Sequence, residues 1–353
     1  MTERTEKLAV VLFNLGGPDS LAAVRPFLFN LFNDAAIIGA PQPVRWLLAR
    51  FISGRRAPVA RAIYEKIGGK SPLLELTRQQ AAALEQAVGQ TGIAAETRCF
   101  IAMRYWHPLT EETVAAVKAW GPDRIVLLPL YPQYAGPTTG SSLRAWEEEA
   151  RRAGLRTPTK TLCCWPSEAG MIAAQADLLS AALAEAGPHA RVLFSAHGLP
   201  QAVIDKGDPY QAQIERSAAA VVAALGRSDL DWRISYQSRV GPMRWLGPST
   251  DDEIRRAGEE GKALVVLPIA FVSEHSETLV ELDLEYGHLA KTCGVPRYVR
   301  VPALGCHPAF IGGLAGLVRR ALASDRSPCS HLDGRLCTRD RTACPHSGPS
   351  LEG

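Results

Sequence analysis

Ile125-Val-Leu-Leu-Pro-Leu130 and Leu264-Val-Val-Leu-Pro-Ile269 decide the fold. Each is a short run of branched apolar residues without polar alternation, the composition of a strand covered on both faces. A second pair echoes in the same way, Val11-Leu-Phe-Asn14 against Val192-Leu-Phe-Ser195. Working outward, similar runs lie near Leu8 to Asn14, Thr97 to Arg104, Arg124 to Leu130 and Lys160 to Trp165. A second set lies near Arg191 to Ala196, Trp232 to Ser238, Ala263 to Ala270 and Arg297 to Pro302. The stretches between them are rich in Ala, Leu, Glu, Gln and Arg, as crossover helices are. Four runs and four predict an α/β chain of two similar Rossmann-like domains, each a four-stranded parallel sheet flanked by helices. The expected divisions are residues 1–168, 169–324 and a Cys-rich tail, 325–353, lying outside the second sheet.

The length of 353 residues agrees, at roughly 150 per domain. Thirty-nine Lys and Arg against 36 Asp and Glu leave a net charge of +3, too little to mark a nucleic-acid binder. The apolar run Leu8 to Leu15 is far short of the roughly 20 residues of a spanning helix. The amino-terminal residues mix acids with bases and lead into Gly16-Gly17-Pro18, not into a small-residue cleavage site. The sparse cysteines do not suit a disulfide scaffold, so a cytoplasmic location is expected.

In open α/β sheets ligands bind beyond the carboxyl ends of the strands. Asn14-Leu-Gly-Gly-Pro-Asp19 stands at such an end, but it has neither the spacing of a dinucleotide fingerprint nor that of a P-loop. Arg104-Tyr-Trp-His107, Tyr131-Pro-Gln-Tyr134, Thr138-Thr-Gly-Ser-Ser142, Ser195-Ala-His-Gly198 and Phe271-Val-Ser-Glu-His-Ser-Glu277 also follow strands. His197, between an apolar strand and Gly198, is placed to act as a base or metal ligand near neutral pH; the alternative is an ordinary loop histidine. Glu274, Glu277, Glu281 and Glu285 are spaced to stack along one helix face beside His275. Such a row is usually a solvated surface, yet like charges so placed oppose one another, and binding cations or relaying protons would use them.

The apolar segment from Phe27 to Ile52 reads either as two core-facing helices or as a lip that admits a flat ligand or rests on a bilayer. In the second reading Arg45, Arg50, Arg55 and Arg56 would meet carboxylates or phosphates. In the tail, Cys329-x7-Cys337-x6-Cys344 supplies three thiols, and Cys163 or Cys164 would make a fourth for an iron–sulfur cluster. Zinc, with His331 and His346 nearby in sequence, is the competing occupant, and unligated thiols the third possibility.

Taken together and in order, these segments resemble the ferrochelatase family. The resemblance rests on Leu12-Phe-Asn-Leu-Gly-Gly-Pro-Asp19, Tyr64-x3-Gly68-Gly-x-Ser71-Pro, Arg104-Tyr-Trp-His-Pro-Leu-Thr-Glu111, Ser195-Ala-His-Gly-Leu-Pro200, Gly207-Asp-Pro-Tyr210, Trp245-Leu-Gly-Pro248 and Pro268-Ile-Ala-Phe271. It implies two Rossmann-like domains around a porphyrin cleft and insertion of Fe²⁺ into protoporphyrin IX. It implies that His197 and Glu277 are the catalytic pair and contact the metal substrate from opposite sides of the ring. It implies a proton and metal path through Glu274, His275 and Glu281, and porphyrin contacts from Arg56, Tyr64, Ser71, Arg104, Tyr105, Met243 and Trp245. Some members carry a [2Fe-2S] cluster on three tail cysteines and one internal cysteine, which matches Cys329, Cys337, Cys344 and one of Cys163 and Cys164. Peripheral membrane contact and a monomer or homodimer are further expectations. The rival readings are insertion into coproporphyrin or of another divalent metal, and a carrier that binds tetrapyrrole without turnover; a carrier needs a pocket but no base.

Overall fold

The structure is a computed structural model and describes residues 6–239, 241–346 and 350. The eight expected strands are present as β1 (Lys7–Asn14), β2 (Glu96–Met103), β3 (Arg124–Pro129), β4 (Thr159–Cys164), β5 (Arg191–His197), β6 (Trp232–Gln237), β7 (Leu264–Pro268) and β8 (Tyr298–Arg300). A ninth, β9 (Cys329–Ser330), comes from the tail. The first sheet runs β2-β1-β3-β4-β9 and the second β6-β5-β7-β8. All of their pairings are parallel.

The expectation of two four-stranded sheets is therefore corrected for the first, which has five. The tail, read from the sequence as an appendage, contributes β9 to the first sheet. The outer edge of β4 would otherwise leave backbone groups unpaired, which is costly away from water. The tail supplies partners: the Thr161 N–H donates to Ser327 Oγ at 3.1 Å and the His331 N–H to the Cys164 carbonyl at 3.2 Å.

Apart from β9, both sheets have the same strand order, and the echoing segments occupy equivalent places. Val11–Asn14 lies in β1 and Val192–Ser195 in β5, the pivots of the two sheets, while the second pair forms β3 and β7. In each sheet the order reverses between pivot and third strand, and there the following loops open onto a crevice.

The absence of alternation in these runs has its cause in the packing. Along β1, Leu8, Val10 and Leu12 join one apolar cluster and Ala9, Val11 and Phe13 another, all essentially without exposure. Full burial of each such Val or Leu contributes about 1.5–3 kcal/mol. The first cluster continues through Val126, Leu162, Val192, Phe194 and Val265, so the two sheets share a core. Helix Pro308–Ala323 packs on both Leu73–Gly89 and Ala169–Ala186 and so ties the two halves together.

Helices α1 (Val24–Phe32) and α2 (Gln42–Glu65) form the apolar segment from Phe27 to Ile52, which faces the core on one side only. Val24, Phe27 and Leu28 pack with Ala57, Tyr64 and Tyr105, whereas Trp46, Leu47 and Phe51 stay exposed. Among the described residues no helix is long and apolar enough to cross a membrane.

Candidate active site

His197 is the last residue of β5, where the chain leaves the ladder, and its Nδ1 lies 2.9 Å from Glu277 Oε2. A direct contact leaves no room for a ring between the two, so the expectation that they face each other across the macrocycle is corrected: they stand together on one side of it. Both side chains remain partly open, 39% for His197 and 28% for Glu277, so the pair faces the crevice and not the core. Burial pushes the imidazole pKa down, but the charge and hydrogen bond of Glu277 more than offset this and hold it above 6.5. Burial likewise opposes ionisation of Glu277, and His197 reverses it, bringing that carboxyl to about 2.

The expected helix face of carboxylates is not what forms. Glu277–Glu285 is a π-helical segment, and Glu274 lies outside it in the preceding loop. The wider turn brings Glu277 and Glu281 onto one hydroxyl: Ser238 Oγ reaches Glu277 Oε2 at 3.4 Å and also binds Glu281, whose other oxygen accepts the Ser238 N–H at 2.7 Å. Ser238 adopts a left-handed φ of 60° to present both groups, a conformation that is uncommon outside glycine. Burial and the nearby charge of Glu277 raise the Glu281 carboxyl, so the two acids are driven apart in proton affinity. Glu285 turns outward toward Lys66 at 3.7 Å.

His275 accepts the Glu277 N–H at 3.1 Å and packs edge-on against Phe271, and burial holds it below the ordinary imidazole value. Glu274 is held by Arg300 and by the Ala303 N–H at 2.8 Å, while Arg300 also grips Asp283 at 2.6 and 2.7 Å. These two acids thus sit on a fixed cation that the sequence did not single out.

From the first half, Gly17 lets Ser71 close on the loop after β1; a Cβ there would meet Ser71 at 2.5 Å. Tyr64, at the end of α2, reaches the second half, where Ser276 Oγ lies 3.5 Å from its hydroxyl, one residue from Glu277. Trp245 packs over Gly198 beside His197, and Met243 is exposed nearby in sequence. Arg104 and Tyr105 are brought to Asp34, which sequence reading missed. Asp34 accepts from Arg104 at 2.8 Å, Tyr105 OH at 2.9 Å, the Ala36 N–H at 2.8 Å and Ser141. Tyr105 is fully buried and reaches the rim only through these partners. Arg56 is exposed on α2, apart from this cluster.

The tail thiols converge in part. Cys163 and Cys164 are buried with sulfurs 3.4 Å apart, and Gln213 Nε2 donates to Cys337 Sγ at 3.2 Å. The hydrogen bond with Cys337 brings the Cys344 thiol down to about 6, while that of Cys164 is raised, first by its bond to Cys163. Cys329 Sγ lies 3.6 Å from the Thr161 carbonyl, and burial pushes its thiol up to about 11. Among the described residues no three His, Cys, Asp or Glu side chains are placed to hold a single metal ion.

Two parallel sheets of one strand order, with an imidazole–carboxylate pair beyond the strand ends of the second, define a chelatase-type α/β protein. The SirB structure from Bacillus subtilis with Fe³⁺ shares this fold, at a TM-score of 0.53 and 12% identity over 90% of this chain and 96% of that one. The chain belongs to the ferrochelatase family, whose profile matches residues 7–322. It is 54% identical to the ferrochelatase of Caulobacter vibrioides, over 97% of this chain and 98% of that protein. It is 55% identical to that of Phenylobacterium zucineum, over 97% of this chain and 99% of the relative. Metal insertion into porphyrin is the family's activity, and the chain is an enzyme of that class.

Proposed function

We propose that this enzyme inserts Fe²⁺ into protoporphyrin IX to form protohaem, with His197 and Glu277 as the catalytic pair. The observation that carries the reading is the 2.9 Å His197–Glu277 contact, half-open beyond the strand ends of the second sheet. Insertion must remove two pyrrole protons and bend a flat ring toward the incoming ion. A site complementary to the bent ring accelerates that step. His197 takes the protons, Glu277 holds the resulting imidazolium, and the Ser238 hydroxyl links Glu277 to Glu281, whose raised carboxyl is suited to receive a proton in turn. Imidazole and carboxylate hold Fe²⁺ loosely enough to yield it to four ring nitrogens. Tyr64, Ser71, Met243 and Trp245 line the slot for the ring, and Arg104 and Arg56 serve its propionates, with Tyr105 steadying Arg104.

The tail fits a [2Fe-2S] cluster by its donors: four thiols from two pieces of chain, one of them ready to ionise near pH 6. Cys164 is favoured over Cys163 because its thiol is within electrostatic reach of Cys329, Cys337 and Cys344. When bound, the group supplies a rigid inorganic crosslink between β4 and the tail. A cytoplasmic enzyme touching a membrane surface through Trp46, Leu47 and Phe51 fits the exposed apolar lip.

Anaerobic incubation with Fe²⁺ and protoporphyrin IX tests the activity: free-base bands convert to those of haem in the wild type and persist in His197→Ala. Conversion of coproporphyrin alone would move the substrate, and porphyrin binding without conversion of either would leave a carrier.

A further inference from the structure

The segment Gly207-Asp-Pro-Tyr210 contains no residue assigned to substrate above, yet three parts of the molecule meet on it. Tyr210 is buried, and its hydroxyl donates to the backbone carbonyl of His197 at 3.0 Å. Asp208, also buried, accepts the Tyr210 N–H at 2.9 Å through one oxygen and the Gly136 N–H at 2.7 Å through the other. Gly136 opens the π-helical segment Gly136–Gly140, and the next residue, Ser141, accepts from Arg104 Nε at 2.7 Å. Further along the helix Tyr210–Leu225, Gln213 Oε1 accepts the Tyr134 N–H at 2.8 Å and Ser217 receives Gln133 at 2.8 Å. The tail presses from the other side. Gly207, at φ +89°, leaves room for Thr342, which a Cβ would meet at 2.4 Å, and its carbonyl accepts the Ala343 N–H at 3.2 Å.

We propose that Asp208 and Tyr210 are positioning residues that set His197 on one wall of the cleft in register with Arg104 on the other. One carboxylate spans the two halves, with its own next-but-one residue holding the base and its glycine partner leading to the Arg104 contact. Asp208 is a costly group to bury: burial raises its carboxyl, against the pull of two backbone N–H groups. An apolar or amide side chain could fill the space, but only a carboxylate accepts from both N–H groups with full charge.

The inference rests on His197 being the base, and the test separates the two. Tyr210→Phe, Asp208→Asn and His197→Ala are assayed for anaerobic iron insertion, with protoporphyrin affinity followed by quenching of tryptophan fluorescence. Tyr210→Phe removes one hydroxyl and keeps the ring, so it is expected to fold, to bind porphyrin within about twofold of wild type, and to lose about tenfold or more in kcat, as a slightly misplaced base does. Asp208→Asn is expected to lower kcat and also raise KM, since both walls move. A Tyr210→Phe protein with wild-type kcat, while His197→Ala is inactive, would overturn the positioning role and leave the catalytic assignment standing. Equal losses of kcat and porphyrin affinity in Tyr210→Phe would also overturn it, since general loosening affects both. Wild-type turnover in His197→Ala would remove the foundation instead.

Discussion

Replacing Glu277 by Gln removes the charge 2.9 Å from His197 while keeping the volume and one acceptor oxygen. The carboxyl sits at about 2 against an ordinary 4.5 because His197 outweighs the opposing effect of burial. At about 1.4 kcal/mol per pH unit, that gap corresponds to about 3 kcal/mol. The His197 side chain is 39% exposed, and solvent screening reduces the coupling to about 1–2 kcal/mol. Coupling is reciprocal, so loss of the charge lowers the imidazole. Burial then prevails over the remaining Glu281 charge, and the imidazole moves from above 6.5 to below it. The stability effect has a definite window. The depressed carboxyl of Glu277 contributes fully above its unfolded value of 4.5 and is lost as pH falls through about 2, so the variant's acid unfolding flattens there. The raised His197 acts oppositely, contributing below 6.5 and losing its effect as pH rises through its folded value. The assay follows the His197 ring proton by NMR across a pH titration, assigned with His197→Ala, beside anaerobic iron insertion. Turnover is expected to fall about 100-fold, the scale of a lost acid–base partner. An imidazole that still titrates above 6.5 in Glu277→Gln, or unchanged insertion, would refute the reasoning.

Arg300→Met leaves Glu274 and Asp283 without their shared cation and is expected to cost about 3–5 kcal/mol in urea unfolding, with the Glu274 carboxyl rising as burial loses its opposing charge. Cys164→Ser, Cys329→Ser, Cys337→Ser and Cys344→Ser should each abolish visible absorbance of the anaerobically purified protein, while Cys163→Ser retains it; colour that survives in Cys344→Ser would exclude the cluster assignment. Wild-type protein should co-sediment with anionic vesicles, and Trp46→Ser/Leu47→Ser/Phe51→Ser should stay in the supernatant; equal partition of the two would dismiss the lip as a membrane contact.

The buried strands are legible in sequence because covering both faces removes alternation, and a run such as Leu264–Pro268 then stands out against amphipathic helices. β9 is not legible: two residues carry no period, and Cys329–Ser330 pairs only because β4 offers an edge. The acidic row was visible as spacing, but spacing alone does not distinguish an α from a π turn. The longer π turn changes which acids meet, joining Glu277 to Glu281 through Ser238 and leaving Glu274 to Arg300. A strand end and a motif singled out His197 and Glu277, and the fold brings these two side chains into contact. Asp34 was not, since its partners Arg104, Tyr105 and Ser141 are distant in sequence and only the folded rim brings them together.

The short strand β9 also covers what would otherwise be an open edge of the first sheet. An open parallel edge is a template on which a second chain can add a strand, and natural sheets blunt such edges by covering them. Here the cover is a segment lying beyond the residues the family profile matches. A chain truncated after Ser324 would keep every active-site residue and yet expose the backbone of Thr161 and Cys164 to any neighbour. On this ground, loss of the tail is expected to appear as light scattering in a concentrated sample.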